Sequence, residues 1–246
     1  MRFLDLVLPT IEENLALDEA LLIEAEAGLG SEALRFWELP TYAVVLGSGC
    51  SFDQDVCVTR CHADAVPIAR RSSGGGTVLL GPGCLAYSLV LSYERAAALE
   101  GVRTSYGYIL GKIGDAFRDR WPAIDARGTS DLAASGKKFS GSAQQRKRRH
   151  FLHHGTVLYA FDLAKVSHYL HEPSRRPTYR GDRDHGSFLM NLPLAQAELK
   201  QQILAAWDFA LPACRETGRG EGHWPAEIVA RLVREKYSKT EWLRRR

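Results

Sequence analysis

Apolar residues recur at helical spacing in two long stretches of the chain. The first begins after Thr10, which fits a capping box with Glu13, and Gly28 can end it. The second covers residues 105–120, where Ile109 and Ile113 lie on one face. Shorter helices are predicted at residues 53–65, 163–170, 194–209 and 225–237.

Short apolar runs bounded by glycine and proline predict strands between these helices. They cover residues 34–37, 42–46, 67–70, 77–80 and 85–91, and several more lie between residues 123 and 161, broken by Gly136, Gly141 and Gly155. The strands come in clusters and do not alternate regularly with helices. We therefore expect an α+β fold, with a mixed, mainly antiparallel sheet flanked by helices. We expect residues 1–246 to form a single domain.

Composition and charge narrow the class of protein. The chain is 45% hydrophobic and 25% charged, which is ordinary for a soluble globular domain. Its first residues lack the apolar region and cleavage site of a signal peptide, and no apolar run is long enough to span a bilayer. These features predict a cytoplasmic protein that does not bind membranes. The net charge of +3 argues against a nucleic-acid binder and permits an acidic protein partner.

The five cysteines form no recognisable disulfide framework or metal motif. They are Cys50, Cys57, Cys61, Cys84 and Cys214. Cys57 and Cys61 can share a helix face, but a metal would need two further ligands, and only His62 is close in sequence. We therefore interpret this pair as buried or half-buried thiols and predict no metal site.

A run of glycines supplies the first candidate chemistry. Residues 70–76 read Arg-Arg-Ser-Ser-Gly-Gly-Gly and join two predicted strands. Three glycines leave their backbone N–H groups unshielded, so an oxyanion can approach them closely. The neighbouring guanidiniums of Arg70 and Arg71 can add charge and bidentate hydrogen bonds. A flexible hairpin with two solvated arginines explains the same residues equally well.

Lys138 and a histidine pair supply the second and third candidates. Lys138 stands among small residues, so a substrate has room beside its ammonium group, which can neutralise a carboxylate and a phosphate together. Taken alone, a polar hairpin is the simpler interpretation. His153 and His154 are adjacent on a predicted strand and should point to opposite faces. We expect one to face a site and the other to be packed or exposed.

Together these segments resemble the lipoate–protein ligase A family of the biotin/lipoate A/B protein ligase superfamily, in order and in spacing. The resembling segments are residues 15–20, 68–78, 130–132, 138–143 and 153–156, with Lys236-Tyr237 and Glu241-Trp242 near the end. The resemblance implies the catalytic-domain fold of biotin and lipoate protein ligases. It also implies that lipoate and ATP, with Mg²⁺, give lipoyl-adenylate and pyrophosphate. A lysine of a lipoyl-carrier protein, a lipoyl domain or an H-protein-like carrier, would then attack the adenylate and release AMP.

The resemblance also implies roles for individual residues. Lys138 would bridge the acyl carbonyl and the α-phosphate, and Asp131 would orient a reacting group or accept the proton of the carrier lysine. The residues expected to bind ATP and lipoyl-AMP are Arg71, Ser73, Gly74, Gly75, Gly76, Thr77, Val78, Leu79, Lys138, Gly141, Ser142, His154 and Gly155.

Two departures from the family pattern bear on these expectations. Leu80-Gly81 and Gly83-Cys84 stand where ligases usually have His-Asp and Gly-Asn, which puts the handling of Mg²⁺ in question. Longer ligases also carry a small C-terminal accessory domain, whereas this chain stops soon after Trp242. We expect either a separate accessory protein or a ligase that works without one.

Two alternative functions remain open at this point. Related octanoyltransferases need no ATP and pass the acyl group through a cysteine thioester. Residues 121–132, where such a cysteine is expected, contain none, and the retained Gly76 also favours a ligase. We expect Cys84 to be a small, half-buried residue that does not react. The second alternative is a non-catalytic lipoyl-binding protein, which Lys138 and Arg71 disfavour.

Overall fold

A computed structural model describes residues 1–118, 120–207 and 224–245. Residues 208–209 of the predicted helix 194–209, Cys214 and Arg246 lie outside the described residues. The described strands form two sheets. They are β1 (Arg2–Asp5), β2 (Ala33–Trp37), β3 (Ala43–Leu46), β4 (Ile68–Arg70), β5 (Val78–Leu80), β6 (Cys84–Ser92), β7 (Ile124–Arg127), β8 (Asp131–Ala134), β9 (Lys137–Arg146) and β10 (His150–Leu158).

Helices surround these sheets. They are α1 (Ile11–Glu26), α2 (Phe52–Asp55), α3 (Val58–Ala63), α4 (Val102–Arg118), α5 (Ala164–Tyr169), α6 (His185–Phe188), α7 (Gln196–Ala206), α8 (Ala226–Leu232) and α9 (Thr240–Arg244). A π-helical turn, Val233–Tyr237, extends α8. The capping box at Thr10 and Glu13 is confirmed and begins α1. None of the described helices is long and apolar enough to cross a membrane.

The sheet topology confirms the expected α+β class. Seven strands form the large sheet in the order β1-β2-β6-β10-β9-β8-β7, in which only the β1–β2 pairing is parallel. The small sheet has the order β4-β3-β5 and mixes one parallel with one antiparallel pairing. Most strand pairs are therefore antiparallel.

Two apolar clusters cover the two faces of the large sheet. Helices α4 and α7 pack on one face, which we call the helix face, through residues such as Ile113, Phe117 and Ile203. Helix α1 and the small sheet pack on the other, through residues such as Leu17 and Val45, and we call it the cleft face. The small sheet thus brings the connection between β4 and β5 over the cleft face.

Two sequence expectations about the elements were wrong, and one strand was missed. The predicted helix 53–65 is two short helices, because Val56 is extended and pairs with Leu170. Gly141 and Gly155 do not break strands; they lie inside β9 and β10, which have ten and nine residues. The strand β1 at the N-terminus was not predicted, because its four residues show no clear alternation of apolar and polar positions.

Candidate active site

A β-bulge determines which way Lys138 points. In β9 and β8, Leu132 pairs with Ser140 but Ala133 pairs with Lys138, so Phe139 is an extra residue on β9. A bulge shifts the alternation of side chains by one. It places Phe139 in the core of the helix face and turns Lys138 toward the cleft face, where its side chain is 26% exposed.

Lys138 forms an ion pair with Asp131 on the cleft face. Its Nζ lies 2.8 Å from Oδ1 of Asp131, whose other oxygen accepts a 2.8 Å hydrogen bond from the Tyr179 hydroxyl. The lysine side chain lies directly over Gly141. A Cβ atom at that glycine would stand 2.7 Å from the Lys138 Nζ atom. Gly141 is therefore needed for this lysine to reach Asp131.

The glycine loop, residues 72–77, lies beside this ion pair. Gly75 has a φ of +83°, and a Cβ on it would be 3.6 Å from the Cβ of Ala143, two residues along β9 from Gly141. Gly74, Gly75 and Gly76 are exposed. Their amide N–H groups make no hydrogen bond to other described residues. These donors remain available for an oxyanion.

Arg71 holds the loop in this shape. Its guanidinium donates to the carbonyl oxygens of Gly74 at 2.7 Å and Gly76 at 2.8 Å, to the hydroxyl of Ser73 at 3.0 Å, and to Val45 O at 3.3 Å. Burial lowers the pKa of Arg71 to about 10, so the guanidinium is still charged at neutral pH. In this structure Arg71 shapes the loop, and its expected contact with nucleotide stays a prediction.

His154 links the loop to the core. Its Nε2 lies 2.6 Å from Ser73 Oγ, and its Nδ1 lies 3.4 Å from Asp18 Oδ2. Asp18, in turn, accepts hydrogen bonds from Arg35 at 2.6 Å and Ser88 at 2.7 Å. Burial alone would raise the pKa of Asp18, but Arg35 and the bonds from His154 and Ser88 hold it below its usual range. The charged carboxylate therefore fixes the orientation of the imidazole.

The two histidines face opposite sides of the sheet, as their adjacency on β10 predicts. His153 is fully buried on the helix face, stacked on Tyr87. Burial, followed by the neighbouring His154, lowers the pKa of His153 to about 3, so it is neutral at pH 7. Gly155 also faces this side, where a Cβ would collide with the Tyr87 hydroxyl at 2.6 Å.

Ser142 and the residues after the loop occupy different surroundings. Ser142 pairs with Gly155, and its hydroxyl donates to Ser130 O at 2.8 Å, which fixes the turn before β8. Thr77 donates to Asp55 at 3.3 Å, and Val78 and Leu79 continue into the small sheet, where Leu79 is buried. Five of the predicted site residues therefore do not join the group around Lys138: Ser142, Thr77, Val78, Leu79 and Gly155.

Two cysteines bear on the question of a thioester. Cys84 is 2% exposed, so it is fully buried and not half-buried as predicted. Burial, with a smaller contribution from Glu38, raises the pKa of its thiol to about 12. A thiol with such a pKa is a poor nucleophile, as expected from its apolar setting. Cys50 is half-buried, and its Sγ lies 3.4 Å from the carbonyl oxygen of Gly75.

The expected magnesium ligands are not matched by the residues present. The side chains at Leu80, Gly81, Gly83 and Cys84 carry no carboxylate or amide oxygen. Among the described residues, no three His, Cys, Asp or Glu side chains group together as a metal site. These positions therefore do not fit the ligand set that the resemblance implies.

Several contacts between distant parts of the chain were missed by sequence reasoning. Lys236 and Tyr237 both bind the buried carboxylate of Glu19, at distances of 2.6–2.8 Å. Trp242 donates to the carbonyl oxygen of Arg70 at 2.8 Å, just before the glycine loop. The sequence of α1 did contain a signal for these contacts, since Asp18 and Glu19 interrupt an otherwise apolar run. Buried charges need partners, so both carboxylates predict partners elsewhere in the chain.

The arginine-rich segments have structural partners. Arg146 donates to Leu99 O and Glu100 O and lies over the ring of Phe151, whereas residues 147–149 are exposed. Arg183 donates to Gly136 O at 2.8 Å and to the carbonyl oxygen of Tyr179, and it lies over Phe188. Arg183 thus holds the segment that carries Tyr179 against Asp131.

Comparisons with known proteins agree on one family. The model of the lipoyl protein ligase A/B catalytic domain matches residues 10–203. Octanoyltransferase LipM of Carboxydothermus hydrogenoformans is 30% identical and aligns over 98% of this chain and 97% of its own length. The probable lipoate–protein ligase A of Mycoplasma pneumoniae is also 30% identical, over 68% of this chain but only 48% of its own length.

A solved structure has the same fold. It belongs to a bipartite lipoate protein ligase from Thermoplasma acidophilum, described together with its E2 lipoyl domain. The TM-score is 0.78 at 21% identity, over 98% of this chain and 94% of the other. At that identity the similarity concerns the fold.

Proposed function

The chain belongs to the lipoyl protein ligase A/B catalytic domain family, whose members include lipoate–protein ligases and octanoyltransferases. We propose that it is an ATP-dependent lipoate–protein ligase. It would activate lipoate as lipoyl-AMP and transfer the lipoyl group to a lysine of a carrier protein. The observation that carries the proposal is the Lys138–Asp131 ion pair beside a loop with free amide donors.

The geometry suits adenylation. Negative charge builds on phosphorus when the acid attacks ATP, so fixed cations and backbone dipoles lower the barrier. Lys138 supplies the cation, and Asp131 and Gly141 hold it in place. The amides of Gly74, Gly75 and Gly76 supply dipoles that Arg71 has already oriented. No step of this scheme is assigned to Mg²⁺.

The carrier and any accessory protein are part of the same proposal. We expect the acceptor to be a lipoyl domain or an H-protein-like carrier, which present a lysine to enzymes of this type. The Thermoplasma ligase of similar fold is bipartite and was described with an E2 lipoyl domain. This supports testing the chain with and without a separate accessory protein.

A second candidate is an ATP-independent octanoyltransferase. The relative from Carboxydothermus aligns over nearly its whole length, whereas the ligase relative does so over half. Such a transferase needs a reactive thiol, and Cys50 is the half-buried cysteine that contacts the glycine loop. Cys84 is too deeply buried for this role.

One experiment separates the two candidates. Purified protein is mixed with a carrier and given either ATP with lipoate or an octanoyl thioester without ATP, and carrier mass is followed. The ligase predicts acylation only with ATP and retains it in Cys50→Ser. Acylation without ATP that disappears in Cys50→Ser, but not in Cys84→Ser, would replace the ligase by the transferase.

A further inference from the structure

The carrier lysine that accepts the acyl group must be deprotonated, and the Lys138–Asp131 pair does not supply a proton acceptor. A lysine ammonium must lose a proton before its nitrogen can attack an acyl group. Both oxygens of Asp131 are already engaged, one by Lys138 and the other by the Tyr179 hydroxyl, so neither is free to face the incoming amine.

We propose that Ser73, His154 and Asp18 form a proton relay that deprotonates the carrier lysine. This inference rests on the proposed transfer of an acyl group to a lysine, and it applies to an adenylate or a thioester donor alike. The three side chains are joined in sequence, Ser73 Oγ to His154 Nε2 at 2.6 Å and His154 Nδ1 to Asp18 Oδ2 at 3.4 Å.

The hydrogen bonds leave one position open on Ser73. Since the Asp18 carboxylate favours the proton of His154 on Nδ1, Nε2 is left to accept from the Ser73 hydroxyl. One of the two Ser73 lone pairs accepts the Nε–H of Arg71 at 3.0 Å. The second lone pair can accept from an ammonium group. Ser73 is only 1% exposed, so the carrier amine must enter past the exposed glycines that follow it, which have no side chains to displace.

The relay lies beside the reacting groups. His154 pairs with Ala143, and Thr156 pairs with Gly141, over which Lys138 lies. Since residues two apart on a strand share a face and are separated by roughly 7 Å, His154 and Lys138 line adjacent parts of the cleft face. An acyl group held by Lys138 would be within reach of an amine held by Ser73.

Two protons leave the carrier lysine before the amide is complete. The ammonium first gives one proton to Ser73 Oγ while the Ser73 hydroxyl proton passes to His154 Nε2, and this frees the nitrogen lone pair to attack the acyl carbon. The resulting imidazolium is stabilised by the Asp18 carboxylate, which Arg35 and Ser88 hold in position. As the nitrogen–carbon bond forms and the bond to AMP or thiolate breaks, the second proton of the nitrogen leaves with that group. His154 releases the first proton to solvent once the products depart.

The test compares two acceptors that differ in their need for a base. Hydroxylamine is largely unprotonated at neutral pH, so it can intercept the activated acyl group without a proton acceptor. We expect His154→Gln and Ser73→Ala to slow acylation of the carrier lysine by about a hundredfold or more. Hydroxamate formation from the same acyl donor shares any change in donor binding, so the ratio of lysine acylation to hydroxamate formation should fall by about a hundredfold.

A control variant and the contradicting outcomes complete the design. His168→Gln is the control, because His168 also contacts an aspartate, Asp64, at 3.1 Å. Unlike His154, it lies outside the site, and its side chain is 43% exposed. It should change neither reaction. Equal losses with both acceptors in His154→Gln and Ser73→Ala, or no loss with the lysine, would overturn the relay. Wild-type acylation that needs no ATP would remove the ligase proposal alone, and no lysine acylation with either donor would overturn both.

Discussion

Substituting Gly141 by alanine tests the geometry of the site with a single methyl group. The new Cβ would stand 2.7 Å from Nζ and 2.8 Å from Cε of Lys138. Ordinary contacts of this kind are roughly 3.6 Å, so the end of the lysine must move by about 1 Å. A misplacement of about 1 Å in a reacting geometry can cost on the order of a hundredfold in rate. We therefore expect Gly141→Ala to lower the acylation rate about a hundredfold.

The fold should tolerate the same change. The group that must move is the far end of a flexible, partly exposed side chain, and the ion pair it leaves contributes at most about 1 kcal/mol at such a position. Alanine also reduces the conformational freedom of the unfolded chain. The free energy of unfolding in urea should therefore stay within about 1 kcal/mol of the wild-type value.

The assay measures carrier acylation and urea unfolding on the same preparations. Gly107→Ala is the matched control, because that glycine lies in α4 with no atom within 4 Å of an added Cβ. It should leave the rate unchanged and add up to about 1 kcal/mol of stability. If Gly141→Ala folds normally and keeps its rate within threefold, Lys138 does not act from the position described above.

Four further changes probe other parts of the site. Lys138→Ala should remove roughly 3 kcal/mol of transition-state stabilisation and slow acylation at least a hundredfold. Lys137→Ala should change the acylation rate only slightly, and equal rates in the two variants would contradict this prediction. Arg71→Ala should weaken ATP binding more than lipoate binding in calorimetric titrations. Cys84→Ser should keep the rate within a few-fold. Burial lowers the pKa of His153 to about 3, so the unfolded chain binds a proton at this residue that the folded protein does not. The free energy of unfolding in urea should therefore fall by up to about 1.4 kcal/mol per pH unit as the pH drops from 6.5 toward 3. The fall should be smaller in His153→Gln.

The sequence contained enough to predict the fold class and to name residues that the structure brings together as a candidate site. Helix α1 follows from its capping box and apolar spacing, and the arrangement of the two histidines follows from strand alternation alone. Lys138, Asp131 and the glycine loop were named from the resemblance, and the structure brings them together on the cleft face. These features depend on local periodicity or on adjacent residues.

What could not be predicted depends on partners far apart in the chain. The partner of Asp18 is Arg35, and the partners of Glu19 are Lys236 and Tyr237, more than two hundred residues later. Sequence alone shows that a buried charge needs compensation but not which residue supplies it. The same limit explains why Arg71 was expected to bind nucleotide, although its donors hold the loop carbonyls in this structure.

The bulge at Phe139 shows how one extra residue decides which lysine faces Asp131. In a regular β9, Lys137 would share the face of Gly141, and Lys138 would point with Ser140 toward the helices. Alternation therefore predicted correctly that the two lysines differ, but it would have assigned the cleft face to Lys137. Since Phe139 is an extra residue that packs in the core, the lysine before it is rotated onto the face of Asp131. The apolar character of Phe139 thus helps to select Lys138 as the cation of the site, because a polar residue there would have no reason to occupy the core.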